Sequence, residues 1–337
     1  MSTPSIDIAS GSGVRPTSPR FNGLSVLLLL IAVMALLPLI ASPYALVLML
    51  PFVGYGIALL GFNLLFGGTG LLSFGHALFL GVGAYTAAVL TSKFGILSFE
   101  LLLIAAALIS GLVSLVIGIL CVRYTRIFFG MLTLAFGMLF HSFLFKFYNL
   151  TGGDQGMRVL KPLLLGMEWR GGKTVFLTGP FYYYVLVLFA LLGTAMWRIT
   201  QSPFGLHLRA IRENAGKAAY VGVQIFRMRL AAFVISAVYG GIGGTILAVT
   251  TGLADPELAY WTHSGNLVFM AVLGGSGSFA GPAIGALVFV VLQDFVMSVT
   301  QYWRFVMGSV LVLLVVFMPQ GLSGAIALLA SKRSGGR

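Results

Sequence analysis

The chain has 337 residues, of which 59% are hydrophobic and 8% charged, with a formal net charge of +12. Soluble domains carry roughly 25% charged residues, so this composition excludes a soluble globular fold and requires lipid as the surrounding solvent. Nucleic acid is excluded as the partner of the positive charge, because the basic residues lie in short loops between apolar runs, as orientation signals do. The single cysteine, Cys121, rules out an internal disulfide and a zinc cluster.

The apolar runs far exceed the roughly 10 residues of a barrel strand and approach the roughly 20 residues of a spanning helix. The expected fold is therefore all-α, a polytopic membrane protein of about ten transmembrane helices. Residues 1–23 are rich in Ser, Pro and Gly and read as a disordered cytoplasmic tail. The apolar run 24–40 is longer than the roughly 7–15 residues of a signal-peptide core, so a retained first helix is expected. Spans follow at 24–42, 45–66, 75–92, 99–121, 127–148, 181–199, 229–251, 264–279, 281–300 and 305–328. The third, eighth and ninth are short or glycine-rich, and any of them could be broken or re-entrant. The membrane domain runs over 24–328, and 329–337 forms a second cytoplasmic tail.

Placing Arg15 and Arg20 in the cytoplasm puts Arg123, Arg126, Arg198, Arg209, Arg212, Lys217, Arg227, Arg229, Lys332, Arg333 and Arg337 inside, and Asp255 and Glu257 outside. Both termini are then cytoplasmic. Loop 149–180 breaks the pattern: it carries Arg158, Lys161, Arg170 and Lys173, yet parity puts it outside.

No engine is visible. The segment Arg170-Gly171-Gly172-Lys173-Thr174 resembles the end of a P-loop, but Met167 stands where its first Gly belongs. Gly275 to Ala280 fits a loose dinucleotide-binding pattern without any βαβ context and reads as a helix break. Ion-driven carriers place ionisable residues deep in the membrane; of the acidic residues only Asp294 lies well inside a predicted span, near its outer end, and His141 and Lys146 lie toward the outer end of the fifth. Energy for any transport should therefore enter from another polypeptide. The place for it is the polar segment 199–226. Ser202 can cap a helix begun by Pro203. That helix should run to about Asn214, with Gly216, a second short helix and Gly222 after it. Arg209 and Arg212 share a helix face, able to meet acidic groups on a partner or, equally, to anchor near lipid headgroups.

Four ordered blocks resemble the permeases of branched-chain amino acid ABC importers, of the LivM branch. They are Ser202-Pro203-Phe204-Gly205 with Leu208-Arg209-Ala210-Ile211-Arg212-Glu213-Asn214; the run 61–77 containing Asn63, Gly67, Gly70, Ser73, Gly75 and His76; Thr151-Gly152-Gly153-Asp154-Gln155-Gly156; and Leu273-Gly274-Gly275-Ser276-Gly277 through Gly281-Pro282. The resemblance covers roughly residues 45–325. It departs at Leu206, near which the family usually carries another Arg, and at Ala215, where an acidic residue is usual.

The resemblance implies a type II importer-like permease half in the bacterial inner membrane. It implies a heterodimer with a LivH-like permease, two ATPases of the LivG and LivF kind, and a periplasmic substrate-binding protein. ATP and Mg would then sit on the ATPase partners, and this chain would hold no cofactor and do no covalent chemistry. The implied ATPase-coupling residues are Ser202, Pro203, Phe204, Gly205, Arg209, Arg212, Glu213, Asn214 and Gly222. The implied solutes are branched-chain or other hydrophobic amino acids, with urea, amides or aromatic acids as alternatives inside the family.

For the path, Asn63, Ser73 and His76 flank the first glycine-rich break, where freed backbone dipoles could meet a zwitterion. Tyr85, Asn266 and Asp294 are further candidates. The plainer reading of His76 is a histidine satisfied inside the bundle. Gly240, Gly241, Gly243 and Gly244 are expected to serve helix packing. A secondary transporter or channel is the alternative class. A membrane-embedded enzyme would need a nucleophile or metal cluster.

Overall fold

The computed structural model describes residues 23–125, 127–169, 171–317 and 321–324. The predicted tails (save Gly23), Arg126, Arg170 and the end of the last predicted span lie outside the described residues.

Helices dominate. They are α1 (Gly23–Leu36), α2 (Pro43–Thr69), α3 (Ala77–Ser92), α4 (Phe99–Cys121), α5 (Ile127–Lys146), α6 (Tyr148–Thr151), α7 (Lys173–Phe176), α8 (Tyr182–Gln201), α9 (Pro203–Tyr220), α10 (Ile225–Thr251), α11 (Trp261–Gly274), α12 (Gly281–Val299) and α13 (Trp303–Phe317). Among the described residues, six continuous stretches are long and apolar enough to cross a membrane: α2, α4, α5, α7 through α8, α10 and α12. A π-helical turn at Leu177–Phe181, containing Pro180, joins α7 to α8. The predicted third and eighth spans are indeed short, 16 residues in α3 and 14 in α11. The ninth, α12, is a full 19 residues. The first is shorter than expected, 14 residues followed by a 3-10 turn at Leu37–Leu39 that Pro38 starts.

The core is built around α10, which packs on α2, α3 and α4. Its glycines make this possible. A Cβ on Gly83 would strike the Gly241 carbonyl, and one on Gly244 would strike the Leu80 carbonyl, so the backbones of α3 and α10 are in direct contact. Thr245 Oγ1 donates across this seam to the Gly83 carbonyl at 3.1 Å. Tyr239 of α10 ties to α8 through the Leu192 carbonyl at 2.9 Å, and Tyr182 of α8 ties to α1 through the Met34 carbonyl at 2.8 Å. In lipid there is little hydrophobic drive between helices, so such close contacts and hydrogen bonds carry the association.

Loop 149–180 gathers at one end of the bundle. Met157 and Arg158 pair antiparallel with Ala254 and Leu253 (Met157 opposite Ala254). The loop's Leu163 carbonyl accepts from Phe99 at the start of α4. The Thr151–Gly156 block forms the turn that makes this possible: Gly152, Gly153 and Gly156 all have positive φ, and Gly156 lies against the Ala254 carbonyl. Loop 149–180 and Asp255 therefore share one side, as parity expects. At the other end, the Arg123 guanidinium lies 6.0 Å from the Phe226 ring, which joins the end of α4 to the start of α10. The loop's misplaced lysines also have a physical explanation. Lys173 Nζ donates to the Thr251 carbonyl in the last turn of α10, and Lys161 Nζ donates to the Trp169 carbonyl. These cations are held by helix-end and loop carbonyls and serve structure on that side.

Candidate functional site

The two glycine-rich breaks meet beside the end of α2. At the first, Gly70 takes φ +75° and closes α2 by donating to the Phe66 carbonyl at 3.0 Å. Residues 70–76 then run unwound and turn back into the bundle. They end where His76 Nε2 meets Ser236 Oγ of α10 at 3.2 Å and Ala77 N–H donates to Ser264 Oγ of α11 at 2.9 Å. Ser236 is eleven residues into α10, roughly 16 Å along its axis at 1.5 Å per residue, so α3 starts near mid-bundle. Gly75 backs directly on the Thr133 carbonyl of α5. Gly70, Leu72 and Phe74 line one side of a cavity of about 530 Å³, with Ile127, Gly130, Met131 and Leu134 of α5 and Trp261 completing it.

The second break, residues 275–280, follows α11. Asn63 Nδ2 of α2 donates to the Ser278 carbonyl at 3.1 Å. One turn later, a Cβ on Gly67 would come within 2.6 Å of the Ser276 carbonyl oxygen. The two glycine-rich blocks are thus joined through the last turns of α2.

Of the predicted path residues, Asn63, Ser73 and His76 cluster here. Ser73 and His76 are fully buried, and His76 sits edge-on between Phe62 and Phe79. His76 is thus bonded at one ring nitrogen only: its Nδ1, Ser73 Oγ and Asn63 Oδ1 have no hydrogen-bond partner among the described residues. Tyr85 is buried in α3, Asn266 is half-buried in α11, and Asp294 lies at the far end, accepting from Tyr44 Oη at 3.0 Å. None of the six lines the cavity. Its apolar wall was not singled out in the sequence, where nothing distinguishes Leu72 or Met131 from lipid-facing residues.

The elbow is α9. It carries the predicted division: Asn214 leaves helical geometry at φ −155° and ψ 99°, and its Oδ1 accepts from Lys217 N–H at 3.0 Å, capping a second helical piece. That piece ends in a Schellman closure, with Val223 N–H on the Ala218 carbonyl, Gly222 N–H on the Ala219 carbonyl and Gly222 at φ +86°. Pro203 opens the first piece. Ser202 stands at the cap position, but its hydroxyl donates backwards to the Ile199 carbonyl at 2.7 Å instead of accepting from α9. Gly205 allows a close approach inside the chain, against the Thr200 carbonyl, and Phe204 is half-buried.

The arginines, although exposed, each bond to a carbonyl of their own chain. Arg209 Nη2 donates to the Thr200 carbonyl at 3.2 Å and Arg212 Nη1 to the Gly67 carbonyl at 2.5 Å, each in the last turn of a preceding helix. Helix C-termini leave carbonyls without intrahelical partners and favour cations. Leu208 and Ile211 are buried beneath, whereas Leu206, Glu213, Tyr220 and Val221 are exposed, Tyr220 at 93%.

Among the described residues there is no group of three or more His, Cys, Asp or Glu side chains placed to hold a metal ion. The profile of the family described as branched-chain amino acid transport system / permease component matches residues 44–315. The high-affinity branched-chain amino acid transport system permease protein LivM of Salmonella typhimurium is 31% identical over 286 residues, covering 80% of this chain and 67% of that protein. LivM of Escherichia coli is 30% identical over the same shares. The permease protein LivH of Salmonella typhimurium is 24% identical over 287 residues, 80% of this chain and 91% of its own. No solved structure matches. The unwound breaks, the capped elbow and the apolar bundle are thus the architecture of a multi-pass membrane permease, and the chain belongs to the branched-chain amino acid transport permease family.

Proposed function

We propose that this chain is one permease half of an ABC importer of the bacterial inner membrane, taking up branched-chain or other hydrophobic amino acids. Its partners are a second, LivH-like permease, two ATPase subunits of the LivG and LivF kind that hold ATP and Mg, and a periplasmic binding protein that delivers the solute. Both termini and α9 face the cytoplasm, and loop 149–180 faces the periplasm. The chain itself binds no cofactor.

The observation that carries this reading is α9. It is an 18-residue charged elbow seated by buried Leu208 and Ile211, and its outer side leaves Leu206, Tyr220 and Val221 exposed. These exposed apolar side chains on a charged elbow are available for a partner protein. With Arg209 and Arg212 bonded to carbonyls of their own chain, docking on an ATPase falls to these exposed side chains at the two ends of α9 and to Glu213.

The solute path runs beside residues 70–76. Leu72 and Phe74 face the solute with Met131 and Leu134, while Asn63, Ser73 and His76 hold the wall from behind. An apolar cavity of this size suits an aliphatic side chain, ligand pockets being about 300–1,000 Å³.

Purification of the tagged chain from cells expressing the whole transport system tests the reading. The wild-type chain should bring two ATPases with it, and Leu206→Asp/Val221→Asp should insert normally but lose them. Unchanged recovery of ATPases with the double variant would place the docking surface elsewhere. Absence of ATPases from the wild-type preparation would favour a secondary transporter.

A further inference from the structure

Three separate parts of the chain converge on the last turn of α2. The Arg212 guanidinium of α9 donates to the Gly67 carbonyl, 145 residues away in sequence. Gly67 presses on the Ser276 carbonyl of the second break. Asn63, one turn earlier, holds Ser278 of the same break at 3.1 Å. Leu208 of α9 packs beside Gly68, and the Arg212 stem beside Gly70, where the first break begins. The neighbouring Phe66 carbonyl is taken locally, by Gly70 N–H at 3.0 Å. Arg212 thus supplies the bond to Gly67 from outside the helix.

We propose that Arg212 is a positioning residue that locks the elbow to both glycine-rich breaks through the Gly67 carbonyl, so that a displacement of α9 moves the two breaks together. The proposal rests on the reading that α9 receives motion from ATPase partners. Arg209 is its internal control. Its bond to Thr200 spans nine residues, within the α8–α9 corner, and reaches neither break. An arginine serving only as a lipid anchor would be replaced without loss by lysine. At a directed carbonyl cap lysine is the poorer substitute, because guanidinium presents a planar, rigid set of donors and ammonium a point charge on a flexible stem.

The test uses the full chain in nanodiscs with Cys121→Ala and spin labels at Tyr220→Cys and Gly277→Cys, both exposed positions. The distance between elbow and second break should be narrowly distributed with Arg212 present. It should broaden in Arg212→Gln and Arg212→Lys and stay narrow in Arg209→Gln. In the assembled complex, Arg212→Gln should retain its ATPases and hydrolyse ATP while solute imported per ATP falls about fivefold or more, in the range of a lost coupling interaction. An unchanged distance distribution and transport ratio in Arg212→Gln would overturn the proposal, as would loss of ATPase assembly in that variant. If the wild-type complex imports nothing with ATP, the importer reading fails, while the distance measurement on the chain alone still judges the lock.

Discussion

At Gly222 the chain takes φ +86° so that two amides can close the end of α9. A side chain there pays the left-handed penalty of roughly 1–2 kcal/mol. Gly222→Val should therefore fray the second elbow piece, seen as faster hydrogen exchange at the amides of residues 218–223; unchanged protection would show that the closure is unimportant. Gly83 offers a harsher case. A Cβ there meets the backbone of Gly241, which no rotamer change can relieve. Gly83→Leu should yield little folded protein in detergent, whereas Gly308→Ala in α13, with nothing within 4 Å, should yield near-normal amounts. Asp294 separates transport classes. Its partner is Tyr44 at the end of the bundle, and an amide oxygen can accept the same bond. Asp294→Asn should leave uptake within about twofold; abolished uptake would indicate an ion-coupled carrier. Some residue roles were legible beforehand because they are local: Pro203, Asn214 and Gly222 act within a turn of their own positions. The partners of Arg212, His76 and Asn63 were not, because they lie 145 to 215 residues away.

Among the elements, α9 was readable as two pieces because Pro, Asn and Gly punctuate it. The direction of the Ser202 hydroxyl was not, since a serine before a helix satisfies either neighbour equally well. The kink at Asn214 also carries a prediction. Asn214→Ala removes a cap worth about 1 kcal/mol, so the two pieces should merge or the second should loosen, detectable as altered mobility of a spin label at Tyr220→Cys. Unaltered mobility would mean that the kink is set by packing at Ala218 alone. The short helices α3 and α11 were foreseen as weak spans because glycines interrupt them. What the sequence could not reveal is why α3 is short: it starts near mid-bundle, where residues 70–76 have already brought the chain back beside α10 and α5. The two-residue pairing of Met157–Arg158 with Leu253–Ala254 has no periodicity to detect.

For the whole molecule, composition and run length sufficed to read a multi-pass helical membrane protein, and motif order sufficed to read its family. The cavity beside residues 70–76 was hidden, because it is made by elements far apart in sequence and lined by residues that resemble lipid-facing ones. Sidedness is directly measurable. Single cysteines introduced at 155–168 in a Cys121→Ala background should react from the same side as one at Leu253, and from the opposite side to Tyr220→Cys; labelling of both sets from one side would contradict the topology. The central claim is that the chain is a conduit whose energy arrives from bound ATPases. Leucine uptake into proteoliposomes tests it most directly, comparing the purified chain under a proton or sodium gradient with the co-purified complex and its binding protein supplied with ATP. The account predicts accumulation only by the complex and only with ATP. Gradient-driven accumulation by the chain alone would contradict it.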